Sequence, residues 1–379
     1  MVLVVFCGTL FSQPRIGSFG LLHTQSARTF DQGRLEIHSN MNFFTRVTKL
    51  VGTSIDPANF RANNWWLVAG NMAITYGVLD NFDITLIPRI YQDTHYSNEY
   101  NLPDDIMLNF KIGSFAFARR HMYGAGMLRF RLPTGEAHNY PFAEYASGAF
   151  EYGFAGALSY YWDPYLPERS FNAHLNLGWW NHNEAGNVVY SARNRELAAT
   201  KNSSEFQYAV GLSYPTPMFD FRLEANGIAY IEQPDVFVYS RENWMYLTPS
   251  IRYKPTSWLS VDLGVDVLLI GKEDETNTDR TTPDWVINFS NPDVSLPNYA
   301  TWKVQLGLNL TILPLAASPR SAAEIERSEF QRRVDFFQRI VEDRARAEDV
   351  QAELQKLIKE REEAERELEQ LKRILEEEG

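Results

Sequence analysis

Cysteine is almost missing from this chain, since Cys7 is the only one in 379 residues, and a disulfide scaffold is therefore excluded. Basic residues are in the minority, with 36 Lys and Arg against 48 Asp and Glu and a net charge of −12. Nucleic-acid binding needs a basic surface, so we expect no nucleic-acid partner. Beyond the first residues there is no apolar run of about 18 or more, which excludes a membrane-spanning helix and leaves strands as a way to cross a bilayer.

The first residues, MVLVVFCGTLFSQ, are mostly apolar. They are typical of the core of a secretory signal that is cleaved near Ser12 or Gln13, although the usual positive residues before the core are missing. We predict a signal peptide over residues 1–13, cut short at its start, and a periplasmic lead-in over residues 14–32. The alternative is a buried N-terminal strand. A lipoprotein anchor at Cys7 is disfavoured, because the bulky Phe6 precedes it.

Apolar and polar residues alternate with a period of two between residues 33 and 313. In WKVQLGLNLTILP, for example, Val304 and Leu306 alternate with Lys303 and Gln305. Period two over such lengths predicts strands rather than helices. About twelve segments of this kind can be recognised, and each has about 10–13 residues, which is close to what a tilted strand needs to cross a bilayer.

The connections between these segments alternate in length. Short turns at residues 79–83, 163–170, 215–219 and 254–258 are separated by longer polar loops at 45–64, 93–104, 133–146, 181–204, 232–243 and 271–298. This alternation is typical of a membrane barrel with turns on the periplasmic side and loops outside. We therefore predict an all-β transmembrane up-and-down antiparallel barrel of about twelve strands over residues 33–313.

A soluble β-sandwich is the alternative fold, since its strands also alternate. Tryptophan and tyrosine near many strand ends, such as Trp65, Trp179 and Trp258, favour the membrane barrel, because these side chains collect at membrane–water interfaces. Pro88 and Pro249 fit a closed barrel only at bulges or strand ends, because a proline removes a hydrogen-bond donor from the sheet.

The last alternating segment has the spacing of an assembly signal. Gln305, Gly307, Leu310 and Ile312 follow the order polar, glycine, apolar, apolar, with Leu310 and Ile312 in place of the usual aromatic residues. Together with FRLPTGE at 130–136 and TYGVLDNFDITL at 75–86, this segment resembles Gram-negative outer-membrane β-barrel proteins of the outer membrane protein A-like and porin-like kinds. The resemblance implies a location in the bacterial outer membrane, with outer-membrane lipid and the barrel-assembly machinery as partners. It does not extend to a peptidoglycan-binding domain.

The composition changes after residue 313. Residues 314–320 form a short linker, Ser321 to Glu324 have capping-box spacing, and no Gly or Pro follows until Gly379. We predict a long, coiled-coil-like α-helix over residues 321–379 in the periplasm, which self-associates or binds a periplasmic partner. Its apolar seam comprises Leu354, Leu357, Ala364, Leu368, Leu371 and Leu375. A single solvated helix held by i,i+4 ion pairs is the alternative.

Alternation places a mixed set of charged residues inside the barrel. The candidates for lining or constricting the lumen are Arg129, Arg131, Lys111, Arg89, Arg222, Glu224, Asp262, Asp266 and Lys303. Arg129 and Arg131 lie two apart on one strand, so they are the candidate electropositive constriction. Mutual ion pairing that fills the lumen accounts for the same charges equally well.

An enzyme is the remote alternative. His95, Ser97 and Asn109 resemble the His-x-Ser and distant Asn of outer-membrane phospholipases, but His95 and Ser97 fall in a polar loop and Asn109 on the lumen face. We predict no catalytic residues, metal ligands or cofactors. The predicted function is a porin-like passive channel for small solutes with a periplasmic coiled-coil extension. A structural envelope protein, whose plugged barrel tethers the helix, is the alternative.

Overall fold

The protein is described by a computed structural model that covers residues 19–50, 61–94, 104–135, 145–164, 167, 169–192, 195–272 and 298–313, together with 334, 337, 341, 344, 350, 351 and 353–366 of the C-terminal region. The chain divides into two compact units, Met1–Pro319 and Arg320–Gly379. The predicted signal peptide and the linker at 314–320 lie outside the described residues, as do His95 and Ser97.

The first unit is a barrel. Within the described residues, twelve antiparallel strands close on themselves, and β8 and β9 form a separate two-stranded sheet. The strands are β1 Leu35–Leu50, β2 Arg61–Leu79, β3 Phe82–Thr94, β4 Asp104–Phe117, β5 Met122–Leu132, β6 Glu151–Tyr161, β7 Asn172–Asn181, β8 Val188–Ala192, β9 Arg195–Ala198, β10 Ser204–Pro215, β11 Phe219–Glu232, β12 Trp244–Tyr253, β13 Leu259–Ile270 and β14 Trp302–Leu313. The predicted barrel fold is confirmed.

Neighbouring strands pair in chain order, with β7 next to β10, and β1 closes the ring against β14. Leu35 lies opposite Leu313, so both ends of the barrel-forming chain meet at one rim. We call this rim, which also carries the β2–β3, β10–β11 and β12–β13 turns, the short-turn end. The opposite rim carries the longer connections, including β8 and β9, and we call it the long-loop end.

Burial in the barrel is the reverse of that in a soluble protein. On β13 and β14 the apolar Leu263 and Leu306 are 56% and 51% exposed, whereas the intervening Asp262 and Gln305 are fully buried. Because side chains alternate between the two faces of a strand, most of the apolar residues point outward and most of the polar residues point into the lumen, although some apolar side chains, such as Leu268, are buried inside.

The two strand prolines lie at irregularities. A register shift between β3 and β4 falls between Pro88 and Arg89. Pro249 lies in β12 where the pairing with β13 is interrupted between Leu247 and Ser250. At both points a missing donor costs the sheet little, which resolves the conflict with a closed barrel.

The second unit is helical at every described position, with a continuous stretch over 353–366. Leu354 and Leu357 of the predicted seam are 55% and 60% exposed, and Arg361 donates to Glu365 one turn later at 2.9 Å. The full length of the helix and its coiled-coil pairing remain predictions, since Leu368, Leu371 and Leu375 lie outside the described residues. Among the described residues, no helix is both long and apolar enough to cross a membrane.

Candidate functional site

The lumen of the barrel holds the N-terminal part of the chain. Residues 19–34, which we call the plug segment, donate backbone hydrogen bonds to inward-facing side chains around the ring. Gln25 donates to Asn176 at 2.6 Å, Ala27 to Ser159 at 2.7 Å and Phe30 to Asp83 at 2.9 Å. Most of the sequence-predicted lead-in thus lies inside the barrel, not outside it. A polar lumen supplies acceptors for a segment that has no sheet partners of its own.

The tip of the plug segment is held by one carboxylate. Glu224 on β11 accepts the backbone N–H groups of Leu22, His23 and Thr24, each at 2.8 Å. The Glu224 side chain is fully buried. Hydrogen bonds to an ionised acceptor are stronger than those between neutral groups. Glu224 was predicted to face the lumen, but its role as the acceptor for this tip was not.

A second carboxylate receives the side chain of the tip. His23 Nε2 donates to Asp266 Oδ1 at 2.9 Å, and both side chains are almost completely buried. Asp266 also accepts Thr248 Oγ1 at 2.8 Å and Gln305 Nε2 at 2.6 Å, and Lys303 Nζ lies 3.6 Å away. Burial disfavours the imidazolium, but the charge of Asp266 and the hydrogen bond to it raise the pKa of His23 above its ordinary value.

Inward-facing glycines let the plug segment approach the barrel wall. A Cβ added at Gly77 would lie 2.4 Å from the backbone oxygen of Asp31, and one at Gly113 would lie 2.5 Å from that of Ala27. At Gly211 and Gly264 it would lie 2.4 Å from Leu21 and 2.6 Å from Leu22. Glycines at inward positions, where alternation otherwise places polar side chains, were the sequence signal that could have indicated an object inside the lumen.

The remaining predicted lumen residues are divided among separate contacts. Lys111 Nζ donates to the carbonyl oxygen of Arg28 at 2.6 Å and so holds the plug segment from β4. Arg222 donates to Asp262 at 2.7 Å, and Arg252 donates to both oxygens of that carboxylate. Arg89 donates to Gln92 at 2.8 Å within the same strand. These charges are therefore tied to partners inside the barrel.

The two arginines of the predicted constriction lie apart from the plug segment. Arg131 Nε donates to Asp105 at 2.6 Å, and its Nη1 lies 3.6 Å from Glu151. Arg129 donates to Gln207 and packs over the ring of Trp180 at 5.4 Å. Both arginines are therefore engaged with residues of the wall itself. Whether they also restrict the passage of solutes stays a prediction.

At the long-loop end, loop residues fold over the same cluster. His182, which follows β7, lies 3.1 Å from Glu151 Oε2, and Ser147 Oγ donates to Glu151 Oε1 at 2.7 Å. Burial disfavours the charged form of His182, but Glu151 and Glu205 raise the pKa of His182 to about 10. A hydrophobic cluster of Tyr145, Val189, Ala199 and Val238 covers this region. Loop residues thus lie over the lumen at one end, and the plug segment lies inside it at the other.

The residues of the predicted assembly signal lie partly in the lumen and partly at the end of β14. Gln305 is fully buried in the lumen, where Asn40 Nδ2 donates to its Oε1 at 3.1 Å, and a Cβ on Gly307 would lie 3.0 Å from Asp262. Leu310 and Ile312 are partly exposed near the end of β14.

Asn109, from the enzyme alternative, is a buried lumen residue on β4. Within the described residues, no cluster of His, Cys, Asp and Glu could hold a metal ion.

Among known proteins, no family model matches the chain, and no curated protein sequence matches it. Among solved structures, an outer membrane channel from Pseudomonas putida F1 is 8% identical with a TM-score of 0.44, over 76% of this chain and 98% of that one. The NanC porin is 8% identical with a TM-score of 0.41, over 73% and 98%. The outer membrane channel DcaP of Acinetobacter baumannii is 7% identical with a TM-score of 0.28, over 74% and 96%.

Proposed function

We propose that the protein is an outer-membrane channel for small solutes that its own plug segment closes. The observation that carries this proposal is the buried carboxylate of Glu224, which accepts three consecutive N–H groups from the plug segment at 2.8 Å each. When the segment is in place, the lumen is filled at the short-turn end. When it leaves, the polar residues that held it line a path through the barrel.

The membrane location rests on the reversed burial. Large apolar side chains such as Phe154, Leu263 and Leu306 are more than half exposed on the outer face, and a surface of this kind is stable against lipid rather than water. With the short-turn end on the periplasmic side, as in bacterial barrels generally, the plug segment closes the channel from the periplasm. The C-terminal helix then extends into the periplasm, where it self-associates or binds a partner.

A hydrogen-bonded lumen fits a channel better than an apolar plug would. The plug segment contributes backbone N–H groups and polar side chains, together with the buried side chains of Leu21, Leu22 and Phe30, and the wall contributes carboxylates, amides and hydroxyls. Water can replace the polar contacts when the segment moves, which lowers the cost of opening. We propose no enzymatic activity for the barrel.

The proposal is tested by opening the channel without shortening the chain. In His23→Asp the new carboxylate faces both Asp266 and Glu224, and like charges at such distances repel strongly in a buried site. We expect large, steady currents in planar bilayers from His23→Asp and rare, brief openings from the natural chain. His23→Asn is the matched control, because asparagine has the shape of aspartate without its charge, and it should open far less than His23→Asp.

A structural envelope protein is the second candidate, favoured by the loops that fill the long-loop end. Tyr299 there donates to the carbonyl oxygen of Ser240 at 2.7 Å, and Tyr246 donates to that of Ala300 at 2.6 Å. If His23→Asp folds, as judged by the heat-dependent mobility of barrels in gels, but conducts no more than His23→Asn, the channel proposal is wrong and this candidate is preferred.

A further inference from the structure

We infer that the wall around Glu224 is a binding site for a short peptide solute with a cationic side chain, and that the tip of the plug segment occupies this site as an intramolecular competitor. The inference rests on the proposed channel function and names the class of solute for that channel. It follows from what the wall offers to the tip: acceptors for consecutive backbone donors, room for two aliphatic side chains, and a second carboxylate.

The acceptors match a peptide backbone. Glu224 Oε1 accepts from Leu22, and Oε2 accepts from both His23 and Thr24. Three consecutive N–H groups converge on one anion only when the backbone bends around it, so the carboxylate selects a chain of amides rather than isolated hydroxyl groups. An inorganic cation has no hydrogen-bond donors and cannot reproduce this set of three.

The room for aliphatic side chains is created by two glycines. Leu21 Cδ1 lies 2.4 Å from the position of a Cβ on Gly211, and Leu22 Cδ1 lies 2.6 Å from that of a Cβ on Gly264, so neither leucine could stay in place beside an alanine. Both leucines are at least 95% buried, with exposures of 5% and 1%. Two leucine-sized side chains can therefore be removed from water beside Glu224, and each such burial favours binding.

The charge preference comes from Asp266. This carboxylate lies beside the tip and accepts the imidazole N–H of His23 at 2.9 Å. Glu224 lies close enough to add a second negative charge around the same imidazole, and Lys303 is the positive group on that side. When the tip leaves, two carboxylates lose donors at once. A cationic side chain at the position of His23 would restore both the hydrogen bond and the charge balance.

An independent observation points to a ligand at the same place. Asn226 lies two residues beyond Glu224 on β11 and faces the lumen, and its side chain is 1% exposed. Within the described residues, neither Oδ1 nor Nδ2 of this amide has a hydrogen-bond partner. Leaving both groups unsatisfied is unfavourable. A peptide bound next to Glu224 can supply one donor and one acceptor to Asn226, which the plug tip does not.

The experiment measures channel block in the full-length His23→Asp variant. The probe is acetyl-Leu-Leu-Lys-amide, which shares its aliphatic pair with the plug tip and has lysine in place of histidine. We expect concentration-dependent block. The half-blocking concentration should rise at least tenfold when Glu224→Gln is added, but not when Glu232→Gln, an exposed residue of the long-loop end, is added. A probe with methylated backbone nitrogens should also block at least tenfold less well.

A second measurement separates this inference from the channel proposal. A fluorescent form of the probe should bind purified His23→Asp in detergent at least tenfold more tightly than it binds the natural chain, because the intact tip competes. If His23→Asp conducts but neither binds nor is blocked by the probe, the peptide site is wrong and the channel stands. If it binds the probe but does not conduct, the channel is wrong and the site stands. Block that is equal with and without Glu224 also overturns the site.

Discussion

Glutamine in place of Glu224 should release the plug segment while leaving the barrel intact. Glutamine has almost the same shape, but one acceptor oxygen becomes an N–H₂ group that points at a backbone N–H. If the N–H₂ group takes the place of Oε2, His23 and Thr24 lose their acceptor. If it takes the place of Oε1, Leu22 loses its acceptor. The oxygen that remains is neutral, so the bonds it keeps are weaker.

The size of the effect follows from these contacts. A hydrogen bond to a charged group contributes about 1.5–3 kcal/mol, so losing one and weakening the others should cost the closed state about 3 kcal/mol. At 1.4 kcal/mol per factor of ten, the ratio of open to closed time should rise by about 100-fold. The wall residues on the outer face are untouched, so the stability of the barrel against urea should change little.

Single-channel recording in planar bilayers gives this ratio directly. Glu232→Gln serves as the control, since it removes one negative charge from an exposed position that makes an ion pair with Lys201. An open-to-closed ratio in Glu224→Gln within threefold of the control, in a protein that folds normally, would show that the three N–H contacts do not hold the plug segment.

Three further changes test other parts of the lumen. Gly113→Ala should open the channel, because its Cβ would meet the backbone oxygen of Ala27 at 2.5 Å, whereas Gly126→Ala, with nothing within 4 Å, should leave the currents unchanged. Opening should increase as the pH rises through the raised pKa of His23. The charged contact between His23 and Asp266 stabilises the closed state fully below the ordinary pKa of 6.5, and this stabilisation is lost as His23 loses its proton. His23→Asn should show no such dependence. The other titratable groups that face His23 are Glu224 and Lys303. Arg131→Met should lower stability in urea by about 3–5 kcal/mol, because Asp105 loses its cation and Glu151 keeps only His182; altered ion selectivity at unchanged stability would favour a constriction instead.

The barrel could be predicted from the sequence because a transmembrane strand displays its surroundings in every second residue. Leu306 and Gln305 differ in polarity because one faces outward and the other faces the lumen, and this contrast repeats around the ring. The number of strands follows from the number of alternating segments. The helix at 353–366 was predictable in kind from its spacing of leucines and its i,i+4 pairs, whereas its full length stays a prediction.

The plug segment could not be predicted in the same way. Residues 19–34 have no period, because their backbone groups bond to side chains from several strands and to scattered backbone groups rather than to one neighbouring strand along its length. The partners of Glu224 are about 200 positions away in sequence, and a carboxylate that binds three amides looks no different from one in an ion pair. The inward-facing glycines were the one local sign of the segment in the sequence. They do not identify it, because strand glycines also occur at bulges and tight bends, where nothing lies inside the barrel.

The plug segment runs directly into β1, with Arg34 followed by Leu35 at the rim of the barrel. A released tip therefore remains tethered by about a dozen residues to the wall it has left. Its return is a unimolecular step at an effective concentration in the millimolar range, whatever the amount of protein in the membrane. The resting state of each barrel is then set by its own chain alone, and a solute that binds at Glu224 as tightly as the tip must reach comparable concentrations to displace it.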